Sequence, residues 1–254
     1  MADNKEEPIV DVQGALSKTE QYIEQNKKSL LVILSVVAGL IILIFGYREF
    51  YSKPMEQQAY EAMFAAEKYF EKDSVDKAMN GDGTNPGFIE IVEEYGSTKA
   101  GNLAKYYLGV CYFQKGNYEA CIESLDDFSP KGLFVGPVSE SLFGDALMEL
   151  GKTEEAIDHY LKGANMDRNE MTTPMLLMKA GKSYELLGKY KEAAGLYEQI
   201  RNEFPETNEG KEIDKHLFFF FFIKRITEQG PLPNNKDFSD LRPSYRVPPE
   251  EAST

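Results

Sequence analysis

Residues 174–205 read PMLLMKAGKSYELLGKYKEAAGLYEQIRNEFP, and the same pattern occurs in two earlier stretches of the chain. Residues 103–125 read LAKYYLGVCYFQKGNYEACIESL, and residues 138–163 read VSESLFGDALMELGKTEEAIDHYLKG. A glycine, a second glycine, a small residue and a larger apolar residue recur in register. They are Gly109, Gly144 and Gly181; Gly116, Gly151 and Gly188; Cys121, Ala156 and Ala193; and Leu125, Tyr160 and Tyr197. This agreement indicates an internal repeat.

The spacing is 35 residues from Gly109 to Gly144 and 37 residues from Gly144 to Gly181. This period resembles that of tetratricopeptide repeats, in which each unit of about 34 residues folds as a helix, a turn and a second helix. We expect the first glycine and the later small residue to let the two helices touch closely. The second glycine is expected to end the first helix in a left-handed conformation. The predicted repeats lie near residues 103–136, 138–171 and 174–207.

Neighbouring units are needed on both sides, because a single repeat cannot bury its apolar face alone. Residues 54–72 and 85–95 have helical patterns that predict a degenerate first unit at 54–95. The segment from Tyr95 to Gly101 resembles the segment from Phe204 to Gly210, which predicts a capping helix at 207–228.

The predicted solenoid therefore covers residues 54–228. Residues 229–254 contain five prolines and predict a disordered, proline-rich tail. The run Phe218–Phe222 is too short to span a bilayer, and packing on the third repeat, lipid contact and partner binding are the alternatives for it. A homopolymeric codon tract that alters the reading frame would also give such a run and an unrelated tail.

Residues 29–47 read SLLVILSVVAGLIILIFGY and contain no charged residue. As a helix they would span roughly 28 Å, close to the thickness of the hydrocarbon core of a bilayer. Aromatic and basic residues follow, so the pattern predicts a transmembrane anchor over residues 29–51. A buried core helix and a cleaved signal peptide are the alternatives. Ser35 and Gly39 form a small-xxx-small pair and are the predicted helix contact in the membrane, although such pairs also arise by chance.

Residues 1–28 are predicted to form a cytoplasmic N-terminal segment with a short amphipathic helix, and a solvated stub is the alternative. The orientation rests on the distribution of basic residues. Lys18, Lys27 and Lys28 precede the apolar run, whereas Arg48 and Lys53 follow it. This small excess predicts that the N-terminus lies inside.

The composition argues against several classes of function. The 254 residues include 28 Lys and Arg against 42 Asp and Glu, and the net charge of −14 disfavours nucleic-acid binding. With two histidines and two cysteines, the chain is predicted to have no metal site, no cofactor and no catalytic residues. Cys111 and Cys121 are expected to be buried thiols, with a disulfide as the alternative. His159 is expected to lie on an ordinary acidic surface.

The loop at residues 80–87 partly resembles a calcium-binding loop. Counted from Asp82, however, the third position is Thr84 and the fifth is Pro86, which has no side-chain oxygen. A connecting loop is therefore predicted.

Two motifs flank the apolar run: Glu24-Gln-Asn-Lys-Lys28 before it and Gly46-Tyr-Arg-Glu-Phe-Tyr51 after it. With the repeats that follow, the chain resembles the YfgM-like ancillary subunits of the bacterial SecYEG translocon, over residues 18–72 by motif and 73–216 by architecture. The resemblance implies one span of the bacterial inner membrane and a periplasmic tetratricopeptide-like domain. It also implies partnership with SecYEG and with a membrane-anchored periplasmic chaperone resembling prolyl isomerases.

The general geometry of tetratricopeptide repeats implies which residues of each first helix line the concave face. They are Leu103, Tyr106, Val110 and Phe113; Val138, Ser141, Asp145 and Met148; and Met175, Met178, Lys182 and Glu185. Met and aromatic side chains adapt to varied apolar partners, so the predicted site is an apolar protein-binding groove. The alternative is that half of these side chains belong to the core.

The predicted fold is therefore all-α, with a single N-terminal transmembrane helix followed by a tetratricopeptide-like helical solenoid. The predicted function is a noncatalytic, membrane-anchored scaffold that holds a periplasmic chaperone or an unfolded client protein beside the Sec translocon. An adaptor for another cell-envelope assembly is the alternative function. An enzyme would need a nucleophile or acid–base cluster, which the sequence pattern does not indicate.

Overall fold

A computed structural model describes residues 22–130, 134–213 and 216–217, and the chain divides into two compact units, Met1–Tyr60 and Glu61–Thr254. In these described ranges the regular structure is helical, without strands, which confirms the all-α fold class. The predictions for residues 1–21, for the run Phe218–Phe222 and for the tail at 229–254 lie outside the described residues.

The first unit contains one long apolar helix. Helix α1 spans Lys27–Tyr47, and a π-helical turn follows at Arg48–Ser52. Helix α2 spans Lys53–Phe70, so it begins in the first unit and ends in the second. None of the residues of α1 is buried, unlike those of a core helix in a soluble domain. Its 21 residues extend over about 31 Å, so α1 is long and apolar enough to cross a membrane. The wide turn precedes Pro54, whose ring cannot pack against the carbonyl four residues earlier in a regular helix.

The second unit is a series of helices that each pack on their neighbours in sequence. They are α3 at Val75–Asn80, α4 at Phe88–Tyr95, α5 at Lys99–Gln114, α6 at Tyr118–Asp126, α7 at Val135–Glu149, α8 at Thr153–Met166, α9 at Thr173–Leu186 and α10 at Tyr190–Glu203. Helices α5 to α10 form three hairpins, with α6 packed on α7 and α8 packed on α9. Each hairpin thus covers the apolar face of the next, as in a tetratricopeptide-like solenoid.

The turn inside each hairpin has the same conformation. Gly116, Gly151 and Gly188 have φ values of +72°, +74° and +69°, which confirms the predicted left-handed helix ends. The amide of the residue after each glycine donates a 2.9 Å hydrogen bond to a carbonyl of the preceding helix. The acceptors are Tyr112, Leu147 and Tyr184. These bonds satisfy carbonyls that a helix end would otherwise leave unpaired.

The two helices of a hairpin touch where the first glycine lies. A Cβ placed on Gly144 would lie 2.4 Å from Cε1 of Tyr160, and one on Gly181 would lie 2.3 Å from Cε1 of Tyr197. In the first repeat the corresponding distance is 3.0 Å, from Gly109 to the Leu125 side chain. The predicted close approach is therefore confirmed, and it is closest where the partner is an aromatic ring.

Two similar caps mark the entry to the first repeat and the exit from the third. The Thr98 hydroxyl accepts a 2.9 Å hydrogen bond from the Gly101 amide, and the Thr207 hydroxyl accepts one of 3.1 Å from the Gly210 amide. A Cβ on Gly101 would lie 1.9 Å from the Tyr95 carbonyl oxygen, so the chain can turn there only at glycine. Residues 208–213 after the second cap are helical, and the rest of the predicted capping helix stays a prediction.

The degenerate first unit differs from the predicted pair of helices. The structure has a third, short helix there, α3, whose residues Ala78 and Met79 are buried. In the loop after it, the Asp82 carboxylate accepts hydrogen bonds from the amides of Asn85 (2.7 Å) and Thr84 (2.8 Å) and from the Tyr69 hydroxyl (2.7 Å). These bonds, led by the one from the Asn85 amide, hold the pKa of Asp82 well below its ordinary value. The carboxylate thus closes a connecting loop.

We expect Gly144→Ala to lower the free energy of unfolding by about 1–3 kcal/mol, because the added methyl group overlaps the buried ring of Tyr160. Gly195→Ala is the matched control, since a Cβ at this helical position in α10 meets nothing within 4 Å. That change should raise the stability by about 0.5–1 kcal/mol. Urea unfolding of the full chain in mild detergent, followed by circular dichroism, measures both, and equal effects would contradict the close contact.

Candidate protein-binding surface

The predicted groove residues lie on the first helix of each hairpin, α5, α7 and α9. Lys182 is exposed, whereas Ser141 and Met178 are buried. The remaining nine are partly exposed: Leu103, Tyr106, Val110, Phe113, Val138, Asp145, Met148, Met175 and Glu185. Ser141 and Met178 therefore do not contribute to an accessible groove, because they face the neighbouring helices.

The α5 part of this surface is aromatic. The Tyr106 ring lies 5.8 Å from that of Phe128, and the Phe113 ring meets that of Tyr118 edge to face at 5.4 Å. Tyr106 and Phe113 pack against the buried side chains of Cys121 and Leu125. The two rings are thus fixed on one side and partly open to solvent on the other, an arrangement suited to holding an apolar segment.

The α7 and α9 part of this surface is polar. Lys179 donates hydrogen bonds of 2.6 and 2.8 Å to the Asp145 carboxylate and one of 2.9 Å to the Ser141 hydroxyl. The Tyr160 hydroxyl donates a 2.7 Å bond to Asp145 as well. Burial, and next the bond to Asp145, raise the pKa of Tyr160. This network joins α7, α8 and α9, while Met148 and Met175 pack against the core.

The corresponding tyrosine of the third repeat has no such partner. The Tyr197 hydroxyl is buried and has no hydrogen bond of regular length and angle among the described residues. Burial, and next the Glu185 carboxylate, raise the pKa of Tyr197, so Glu185 is the acceptor that lies close to this hydroxyl. Lys182 occupies the position that Asp145 has in the second repeat, and an ammonium group offers no acceptor. The Glu185 carboxylate also lies 3.9 Å from Nδ1 of His216. In the first repeat, Leu125 stands at the position of Tyr160 and Val110 at the position of Asp145, so both side chains are apolar there.

A second ion-pair network, not expected from the sequence, joins α7 and α8. Glu140, which is 8% exposed, accepts a 2.7 Å hydrogen bond from Nδ1 of His159 and pairs with Lys162 at 2.8 Å. Burial alone would raise the pKa of Glu140, but the bonds from His159 and Lys162 outweigh it and the pKa lies below its ordinary value. The His159 ring stacks on Phe143 at 3.9 Å. His159 is therefore a packing residue and not part of an ordinary acidic surface.

Two further groups of predicted residues have local structural roles. Cys111 and Cys121 are free, buried thiols, and burial raises their pKa values to about 11 and about 12.

In α1 the Ser35 hydroxyl donates a 2.8 Å hydrogen bond to the Leu31 carbonyl, and the space beside Gly39 is open. Among the described residues, no group of three His, Cys, Asp or Glu side chains is arranged to hold a metal ion.

The two tyrosines provide a comparison within one molecule. We expect Tyr160→Phe to lower the free energy of unfolding by about 1–3 kcal/mol, because Asp145 loses a donor in a partly buried network. Tyr197→Phe should cost clearly less, because the hydroxyl that it removes has no hydrogen bond of regular geometry. Parallel urea titrations of the full chain test this difference. A loss at Tyr197 as large as that at Tyr160 would show that the Tyr197 hydroxyl forms a full hydrogen bond, for which Glu185 is the acceptor at hand.

Comparisons with known proteins agree with the repeat structure. Residues 176–207, which cover most of α9 and α10, match the tetratricopeptide-repeat family. No curated protein sequence matches the chain.

Two solved structures similar to the chain are crystal structures of MamA. One is 17% identical with a TM-score of 0.43 and covers 56% of this chain and 82% of MamA. The other is 17% identical with a TM-score of 0.45 and covers 69% of this chain and 97% of MamA. The matched repeat and the three stacked hairpins support one conclusion: the described part of the chain contains tetratricopeptide-like helical repeats and one long apolar helix near the N-terminus.

Proposed function

We propose that the chain is a noncatalytic scaffold that is held in a membrane by α1 and binds other proteins through its helical repeats. The observation that carries this proposal is the combination of a helix with no buried residue and a stack of hairpins with partly exposed aromatic side chains. Stacked helical repeats generally bind proteins through an extended surface. Such repeats are typically noncatalytic.

The proposed surface has two chemically different parts. Tyr106 and Phe113 on α5 offer partly exposed rings for an apolar segment of a partner. On α9, Lys182 is an exposed cation that pairs with no described residue. A partner segment with apolar residues toward one end and an acceptor toward the other would satisfy both parts. A segment of a chaperone or of an unfolded client protein would fit this description.

The proposed location is the bacterial inner membrane, with the N-terminus in the cytoplasm and the repeats in the periplasm, next to the SecYEG translocon and a membrane-anchored chaperone resembling prolyl isomerases. Lys27 and Lys28 at the start of α1 support this orientation. The motif Gly46–Tyr51 supports the Sec partnership through the family that it resembles. The proposed anchor and the proposed partner are separate claims, so each needs its own test.

For the anchor, we expect the full chain to remain with membranes during alkaline carbonate extraction. Replacing both Leu34 and Ile41 with Asp should release it, because each charge near the middle of a membrane helix costs about 2.5–3.5 kcal/mol. Leu186→Asp is the control, since it changes an exposed leucine of the repeats in the same way. Extraction of the unchanged chain would overturn the proposed anchor.

For the partner, photoreactive residues at Phe113 and Lys182 should crosslink to Sec components, to the chaperone or to secreted chains in intact cells. A probe at Lys191, which is exposed on the second helix of the third hairpin, is the control and should not. Immunoblotting and mass spectrometry identify the products. Capture of another envelope assembly would favour the adaptor function, and equal capture from all three positions would contradict the proposed surface.

A further inference from the structure

The end of α1 has an unusual helical geometry and a cluster of exposed aromatic side chains. The π-helical turn at Arg48–Ser52 lies directly after the last residue of the apolar helix. Phe50 is 85% exposed, and the rings of Tyr47 and Tyr51 stack on each other at 5.2 Å. Tyrosine rings with an apolar body and a polar end favour the boundary between hydrocarbon and headgroups. This turn therefore has the composition of an interfacial segment.

The two cations at this turn differ in their partners. The Lys53 ammonium pairs with the Glu49 carboxylate at 2.6 Å, so its charge is compensated within the helix. Arg48 forms no ion pair or side-chain hydrogen bond with any residue that the structure describes. The backbone amide of Arg48 is occupied by bonds to the carbonyls of Ile44 and Phe45, so its guanidinium is the group left for a ligand. A guanidinium binds phosphate through two parallel hydrogen bonds.

We infer that Arg48, which follows Tyr47 and precedes Tyr51 by three residues, binds the phosphate of an anionic phospholipid headgroup at this end of α1. The inference rests on the proposed membrane anchor, which would bring Arg48 to the depth of the lipid phosphates. A lipid fits better than an acidic protein because the surrounding side chains are large, apolar and exposed, as at a bilayer boundary. Lys53 does not take this role, because binding a phosphate there would require it to leave Glu49.

The test counts lipids bound to the purified full chain. The protein is delipidated in a mild nonionic detergent and mixed with phosphatidylglycerol or phosphatidylcholine, and native mass spectrometry measures the retained lipid. One basic residue near an anionic surface favours binding by about fivefold, so we expect about fivefold more phosphatidylglycerol than phosphatidylcholine on the unchanged chain. Arg48→Gln should abolish this preference, and Arg48→Lys should restore part of it.

Two controls separate Arg48 from general charge effects. Lys72→Gln removes one exposed cation elsewhere, and the double variant Glu49→Gln with Lys53→Gln removes the compensated pair without a change in net charge. Both should keep the lipid preference. Carbonate extraction of the same variants tests the anchor separately, and Arg48→Gln should stay with the membrane.

Three results would overturn the inference. One is an equal retention of the two lipids by the unchanged chain, and another is an unaltered preference in Arg48→Gln. A third is loss of a co-purifying acidic protein from Arg48→Gln while the lipid preference persists, which would assign the arginine to a protein contact. If the unchanged chain is itself extracted by carbonate, the proposed anchor fails, whatever the lipid measurement gives.

Discussion

The structure of the repeats depends on the contact between a glycine in the first helix of a hairpin and a large side chain from the second helix. Tyr160 and Tyr197 approach Gly144 and Gly181 so closely that no Cβ fits between them. This contact sets the distance between the helices of a hairpin, and the left-handed glycine after it sets where the first helix ends. With both fixed, the hairpins can stack and share one core, which includes Leu176, Ile200 and other side chains.

The same contact also determines the chemistry of the surface. A tyrosine that reaches across a hairpin carries its hydroxyl toward the position held by Asp145 in the second repeat and by Lys182 in the third. Aspartate accepts the hydroxyl and recruits Lys179 from the next repeat, so the middle of the stack becomes a closed polar network. Lysine cannot accept it, and the third repeat has a buried hydroxyl without a regular hydrogen bond, close to Glu185, and an exposed cation. Repeats with one backbone geometry therefore present different surfaces.

The sequence predicts those features that depend on local backbone chemistry. The turn glycines, the close glycines and the buried cysteines follow from residue type and spacing, because a left-handed turn or a close approach restricts the residue that can occupy it. The burial of Ser141 and Met178 does not follow from spacing, because it depends on the packing of adjacent repeats. The pairing of Glu140 with His159 links residues 19 apart on facing helices, and no local pattern indicates it. Aligning the second and third repeats places Lys182 at the position of Asp145, which indicates that Tyr197 lacks the aspartate that accepts the hydroxyl of Tyr160.

The charge of the chain explains why a helix, and not electrostatic attraction, has to provide the proposed anchor. With 42 acidic and 28 basic residues, the protein as a whole is repelled by an anionic lipid surface, although salt limits that repulsion to about 8 Å. An apolar helix overcomes this repulsion, because its burial in hydrocarbon does not depend on charge. A single uncompensated arginine at the end of that helix then acts locally, within the range in which screening is weak.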